Sequence, residues 1–275
     1  LRKRPLAWTP PGPSAPGEED PSLSPGADET LDCLCGHWKI FQLRRGHRYS
    51  TDDLLTAWFA ADAVSKEGRV PATQLDLGCG IGSIGMLLLW RFPELRLVGI
   101  EAQRHSVDLA RRSARYNGVA DRAEIRWGDF RAPCLLADLE RFDIVTASPP
   151  YLVAGEGRRS DRPQRGPCRF EDRGGVDAYL EKAAAHLAPG GLVAWVHATR
   201  YTDANLRAAR AAGFSSAALR PVVFREGREG VITLFRATLE GDRKEQALAP
   251  LVVRRSDGSW SADYEAVRRA MGYPV

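Results

Sequence analysis

Hydrophobic positions along the chain change period several times, and each change marks an element. Trp38-Lys39-Ile40-Phe41-Gln42-Leu43 is strand-like, and Arg44-Arg45-Gly46 reads as a turn. Ser50-Thr51-Asp52 offers capping side chains ahead of Leu54-Leu55, so a helix is expected to open there. From Ala72 onward the two patterns alternate. Short apolar runs predict strands near 73–77, 96–100, 123–127, 142–147 and 192–198. The apolar stretch Ser83 to Arg91 separates the first two. Gln103 to Tyr116 has a helical period, with Val107, Ala110 and Ala114 on one face, and Asn117-Gly118 stops it. Leu180, Ala183, Ala184 and Leu187 stand at i, i+3, i+4 and i+7, and that helix is expected to end at Pro189-Gly190-Gly191. A further helix over 203–212 stops at Gly213. Two β runs, 217–225 and 231–239, are joined by Glu226-Gly227-Arg228-Glu229-Gly230, which predicts an antiparallel hairpin. Strands alternating with helices predict an α/β fold, a mostly parallel sheet covered on both faces with that C-terminal hairpin added.

Composition narrows the picture. With 275 residues, 44% hydrophobic, the chain suits one globular domain with short extensions. No apolar run approaches the roughly 18 residues of a membrane helix. The basic start Leu1-Arg2-Lys3-Arg4-Pro5 lacks the apolar core of a secretory signal. Five cysteines without disulfide-scaffold density point to a reducing, cytoplasmic setting. Residues 1–29 hold seven prolines and little apolar surface, so a disordered tail is expected there. The main domain is expected over 30–240, with 241–275 an extension packing on it. Cys33, Cys35 and His37 form a C-x-C-x-H cluster. Its spacing departs from the usual zinc pairs and no second pair follows, so it reads as strand or loop filling, and no metal is expected. A net charge of +4 permits an anionic partner without demanding one.

Two stretches carry chemistry. Leu75-Asp76-Leu77-Gly78-Cys79-Gly80-Ile81-Gly82 joins a predicted strand to its helix. Glycines at 78, 80 and 82 let the backbone turn tightly and approach a ligand. Their spacing is G-x-G-x-G rather than the dinucleotide G-x-G-x-x-G. Asp76 would repel a pyrophosphate and suits a cationic or amino-bearing ligand. S-adenosylmethionine has an amino group and a sulfonium, and no phosphate. Glu101 ends the next strand, placed to accept from both ribose hydroxyls. Asp129, after the third strand, is placed to accept from an adenine amine while Phe130 packs the ring. The second stretch is Ser148-Pro149-Pro150-Tyr151, at the end of the strand Phe142-Asp143-Ile144-Val145. Two prolines stop the strand. Ser148 and the Pro149 carbonyl can both accept from one NH2 group, and Tyr151 can stack on a flat ring.

DLGCGIG, GIEAQ, GDF and SPPY in this order resemble the class I S-adenosylmethionine-dependent methyltransferases, in the subgroup that methylates exocyclic amines. FQLRRGHRYSTDDLLTA, REGREGVITLFRA and PLVVRRSDGSWSADY are similar to bacterial tRNA1(Val) (adenine-N6)-methyltransferases. The resemblance spans about Leu31 to Tyr264 and implies a seven-stranded Rossmann-like sheet. It implies S-adenosylmethionine as cofactor, held by Tyr49, Thr51, Asp76, Gly78, Cys79, Gly80, Gly82, Glu101, Ala102, Asp129 and Phe130. Gln42, Gly46, Arg48, Tyr49 and Asp52 would lie over its methionine end. Catalysis would fall to Ser148, Pro149, Pro150 and Tyr151. The family usually has Asn where this chain has Ser148. Ser-Pro-Pro-Tyr is more typical of cytosine N4 enzymes acting on DNA.

Gly155 to Gly175 holds six arginines against four acids, directly after the motif. Arg158, Arg159 and Arg162, with Arg48, are therefore candidates for RNA phosphates. Arg44, Arg45, His47, Arg225 and Arg228 would extend a basic rim. The expected partner is tRNA or another structured RNA, with no membrane, and the chain is expected to be a monomer. The function so implied is methylation of adenine N6 in the anticodon loop of a valine tRNA. Cytosine N4, guanine N2 and protein glutamine methylation remain open, as does a catalytically silent RNA-binding module.

Overall fold

The computed structural model describes residues 8–151, 174–242 and 244–275. Strands β1 (Glu29–Cys35) and β2 (Trp38–Leu43) form a separate antiparallel pair. Helix α1 (Thr51–Lys66) leads into the main sheet. Then follow β3 (Thr73–Leu77), α2 (Ser83–Arg91), β4 (Arg96–Glu101), α3 (Arg104–Tyr116), β5 (Ala123–Trp127) and β6 (Phe142–Ala147). Beyond residue 174 come α4 (Val176–His186), β7 (Leu187–Ala198), α5 (Thr202–Ala211), β8 (Ser216–Val223) and β9 (Ile232–Thr238). The chain closes with β10 (Lys244–Ala247), β11 (Leu251–Val252) and α6 (Ala262–Ala270).

Side-chain alternation explains the layers. Ile144, Leu192, Ala194 and Val196 point into one core with α1, α2 and α3. Their neighbours Val145, Val193 and Trp195 point into the other, with α4 and α5. A strand buried on both faces must be apolar at every position, which is why these runs show no polar alternation. Trp195 stacks on Phe235 with centroids 5.0 Å apart, an arrangement worth about 0.5–1.5 kcal/mol beyond area burial. Its indole nitrogen donates to Asn205 Oδ1 at 2.8 Å and ties α5 to the sheet.

The sheet order is β10-β8-β9-β7-β6-β3-β4-β5, with β11 also on β8. Strands β5, β4, β3, β6 and β7 are parallel, and β9 lies antiparallel between β7 and β8. The chain steps from β3 out to β4 and β5, then returns to place β6 on the other side of β3. The loops leaving β3 and β6 therefore diverge at their carboxyl ends and open a crevice. The glycine loop and the Ser-Pro-Pro-Tyr motif leave from these two strands.

Three expectations need correction. The main sheet has nine strands rather than seven, because β10 and β11 pair parallel with the edge strand β8. All four residues of β10 are exposed, so pairing rests on backbone hydrogen bonds that no apolar pattern announces. The helix expected to run to Pro189 stops at His186, and Leu187 already pairs with Phe142. Part of the segment expected to be disordered is ordered. From residue 8 it follows the domain surface, with Ala15 and Leu23 buried and Glu18 paired with Lys39 at 2.6 Å. Proline restricts the unfolded chain and lowers the entropy cost of such ordering.

Candidate active site

Beyond β3 the backbone takes φ of +65° at Gly78, +57° at Gly80 and +82° at Gly82, a region that favours glycine. The three glycines differ in purpose. A Cβ on Gly78 would stand 2.8 Å from the Tyr179 hydroxyl, and one on Gly82 would stand 3.2 Å from Ala110 Cβ of α3. A Cβ on Gly80 would meet nothing within 4 Å. Gly78 and Gly82 thus serve packing, and Gly80 presents backbone to a cavity of about 730 Å³.

Carboxylates line that cavity. Glu101 is buried at the end of β4, where Gly80 N donates to Oε2 at 3.0 Å and Gln103 N to Oε1 at 2.7 Å. The glycine loop and the acid therefore fix each other. Pairing of β3 with β6 sets Asp76 beside Thr146, whose hydroxyl donates to Asp76 Oδ1 at 2.7 Å. Gln74 Nε2 donates to that hydroxyl in turn at 2.8 Å. Asp76 Oδ2 is buried without a hydrogen-bond partner. Burial, with the charges of Asp53 and Glu101, pushes Asp76 up to about 7. Asp129 lines the cavity, and its carboxylate accepts from the Arg131 side chain at 2.6 Å. Phe130 is buried against Tyr179, ring centroids 4.5 Å apart.

The opposite wall is the Ser148–Tyr151 turn. Ser148 is half-buried, and Pro149 and Pro150 are buried. The Tyr151 hydroxyl donates to Asp52 Oδ2 at 3.0 Å, so the first turn of α1 orients the ring. His197 of β7, 2% exposed, lies with Nε2 3.2 Å from the Pro150 carbonyl. A carbonyl only accepts, so Nε2 carries the hydrogen and donates. Burial holds His197 below its ordinary value, which favours this neutral form. Its ring also packs on Tyr151 at 5.3 Å. The motif is therefore anchored at Pro150 by β7 and at Tyr151 by α1.

The glycine loop, the buried Glu101 and the Ser148–Tyr151 turn thus face one cavity at the sheet's switch point. The methyltransferase small domain model matches residues 55–161. Over 220 residues the chain is 30% identical to a tRNA1(Val) (adenine(37)-N6)-methyltransferase of Aeromonas hydrophila subsp. hydrophila, covering 79% of this chain and 86% of that protein. The chain belongs to the class I S-adenosylmethionine-dependent methyltransferases. A relative of the same name from Porphyromonas gingivalis is 34% identical over 152 residues. That match covers 54% of this chain, and the chain spans 58% of that relative's length. A release factor glutamine methyltransferase of Aliivibrio fischeri is 34% identical over 97 residues, 35% of this chain and 32% of its own. A solved structure described as a predicted O-methyltransferase, from Agrobacterium tumefaciens, has a TM-score of 0.64 at 19% identity. It covers 82% of this chain and 98% of its own, and shares the fold.

The residues present fit the cofactor of this class. Asp76 offers a buried carboxylate oxygen without a hydrogen-bond partner, which suits a cationic group. Gly80 leaves open space where any side chain would intrude. Tyr49, Asp76, Gly78, Cys79, Gly80, Glu101, Ala102, Asp129 and Phe130 share the cavity with Ser148 through Tyr151. Thr51 and Gly82 are not among its lining residues: Thr51 opens α1, and Gly82 precedes α2 and packs against Ala110. Gln42 is buried, its Oε1 accepting from Tyr49 N at 2.9 Å, so it braces Tyr49 from behind. Gly46 is buried as well. Arg48 reaches the cavity, yet its guanidinium pairs with Asp32 at 2.7 Å and donates to Thr30 and the Leu43 carbonyl. Those bonds make it a brace between β1 and the turn before α1. Arg158, Arg159 and Arg162 lie outside the described residues. Cys33 and Cys35 sit on β1, and the Cys33 carbonyl accepts from the Tyr49 hydroxyl at 2.6 Å.

Sequence reasoning missed Asp53 and His197. Asp53 Oδ2 accepts from Ser50 N at 2.9 Å, and the Ser-x-x-Asp spacing resembles a capping-box pattern. His197 has no local signature; only the pairing of β6 with β7 brings it to Pro150. Among the described residues no helix is long and apolar enough to cross a membrane. Among them, too, no group of three or more His, Cys, Asp or Glu side chains is arranged to hold a metal ion.

Proposed function

We propose that this protein methylates an exocyclic amine of a nucleobase, adenine N6 of a tRNA, in the cytoplasm. The observation that carries this is the anchored Ser148–Tyr151 turn facing the cofactor loop across one cavity. A base flipped out of its stack lies on the Tyr151 ring. Ser148 Oγ and the Pro149 carbonyl accept its two amine hydrogens. Those acceptors draw the nitrogen lone pair out of conjugation and aim it along the cavity. When bound, S-adenosylmethionine supplies an electrophilic methyl group. Asp76, Glu101 and the Gly80 backbone hold the cofactor, and Asp129 with Phe130 flanks its adenine. Positioning and fixed dipoles carry the rate, with no covalent enzyme intermediate. The product amine sheds its proton to water.

The relative named for tRNA supports this reading over 79% of the chain. The relative named for release factor glutamine matches 35%, and keeps protein glutamine as a second reading, because a side-chain amide presents the same NH2 geometry. Methyl transfer from labelled cofactor into separate tRNA, rRNA, DNA and protein pools, followed by nucleoside mass spectrometry, decides between them. N6-methyladenosine in the tRNA pool is expected. Label confined to protein would move the assignment to glutamine.

A further inference from the structure

Asp52, Asp53, Asp76, Glu101 and Asp129 all line the cavity. Asp76 on β3 is 1% exposed, one oxygen bonded to Thr146 and the other without a hydrogen-bond partner. Asp53, in the first turn of α1, is 8% exposed and lines the same cavity. Its Oδ2 accepts from Ser50 N, and the Ser83 hydroxyl at the start of α2 also favours its charged form. Burial comes first in raising both groups, each to about 7, and Asp53 is a further cause of the rise at Asp76.

Asp76 also faces Glu101 on β4 and the Cys79 thiol in the glycine loop. Asp53 also faces Asp52, whose carboxylate accepts from Tyr151. Among the described residues, the basic groups on the cavity wall are His47, Arg48 and Arg200. Arg48 is bonded to Asp32, and the Arg200 guanidinium lies 4.7 Å from the Tyr201 ring. Asp53 and Asp76 are buried on one cavity and the charge of Asp53 raises Asp76, and carboxylates placed so hold a proton rather than both ionising. A cation brought between them reverses that preference. S-adenosylmethionine carries an ammonium and a sulfonium against one carboxylate, net +1. Its demethylated product keeps the ammonium and carboxylate, net 0.

We propose that Asp53 and Asp76 share a proton in the free protein and release it to solvent when S-adenosylmethionine enters, so that the pair selects the sulfonium cofactor over its demethylated product. This rests on the cofactor reading above and deepens it. Once the methyl group has left, the extra positive charge is gone, the pair regains its proton, and product is held less tightly.

Calorimetry on the full chain tests this. Each ligand is titrated at pH 7 in two buffers of different ionisation enthalpy, which counts protons released, and again at pH 6 and pH 8. S-adenosylmethionine should release close to one proton, and its Kd should rise by up to about tenfold for each pH unit that the pH falls below 7. S-adenosylhomocysteine should release fewer and respond less to pH. Asp53→Asn retains the acceptor for Ser50 N, so it should lower both the preference between the two ligands and the number of protons released with S-adenosylmethionine. Equal proton counts and equal pH dependence for both ligands in the wild-type chain would overturn the proposal without touching the cofactor reading. Failure of both ligands to bind would remove that reading, and the proposal with it.

Discussion

On the proposed reading the target amine offers two hydrogens and one lone pair, so single atoms around Ser148 and Tyr151 would decide whether transfer occurs. Base–aromatic stacking is worth about 1–3 kcal/mol. Tyr151→Ala should therefore slow methyl transfer by one to two orders of magnitude, whereas Tyr151→Phe keeps the ring and loses only the bond to Asp52. Comparing the two rates separates stacking from anchoring. His197 acts through the backbone it holds. His197→Leu removes the donor to Pro150, and a lost hydrogen bond of about 1.4 kcal/mol corresponds to a tenfold rate loss. His197→Gln places an amide nitrogen near the position of Nε2 and should recover most of it. Cofactor Kd should stay constant in both variants, since only the substrate wall has moved. A change in Kd instead of kcat would make His197 a general structural residue. The positions of Ser148, Tyr151 and Glu101 on the cavity are legible in the sequence because each follows or ends a run whose period marks a strand. That of His197 is not, because its contact depends on which strand neighbours β6.

At the scale of elements, the start of α1 is the most heavily used segment. Asp52 orients Tyr151, Asp53 caps the helix, and Tyr49 lines the cavity. Its polar residues looked like ordinary capping candidates, and their dual use appears only once α1 packs beside the Ser148–Tyr151 turn. Asp53 also makes the fold sensitive to pH. Its carboxyl rises from 3.8 to about 7 on folding, chiefly through burial. Between those values the folded chain binds more protons than the unfolded one, so this contribution to stability declines as pH rises through the window and is fully lost above it. Asp53→Asn removes the buried charge and keeps the cap. The melting temperature of the cofactor-free variant should exceed wild type at pH 8 by several degrees, at about 2–4 °C per kcal/mol, with a smaller gap at pH 5. An equal gap at both pH values would mean that Asp53 does not carry this linkage. The parallel strands and their helices were legible for the opposite reason: double burial and cap residues are local signals. Strand β10 (KEQA) has neither, and joins the sheet by backbone pairing alone.

For the whole molecule, the sheet's switch point lies between β3 and β6, and the glycine loop and the Ser148–Tyr151 turn both leave from it. That placement follows from strand order, which alternation of elements suggested and side-chain pattern alone does not determine. An RNA substrate also needs contacts beyond the cavity. If Arg158, Arg159 and Arg162 meet phosphates, replacing all three with Ala should weaken RNA binding. It should also flatten the salt dependence by roughly 0.7–0.9 log units per lost contact, leaving cofactor affinity unchanged. An unaltered salt slope would assign RNA contact elsewhere. The central claim is that Ser148 accepts a hydrogen of the target amine. The most direct test is single-turnover methyl transfer to tRNA by Ser148→Ala, with cofactor Kd measured on the same sample. Deleting that acceptor should lower the rate roughly tenfold or more, with Kd unchanged. Transfer at the wild-type rate would contradict the claim and make the turn after β6 a strand end only.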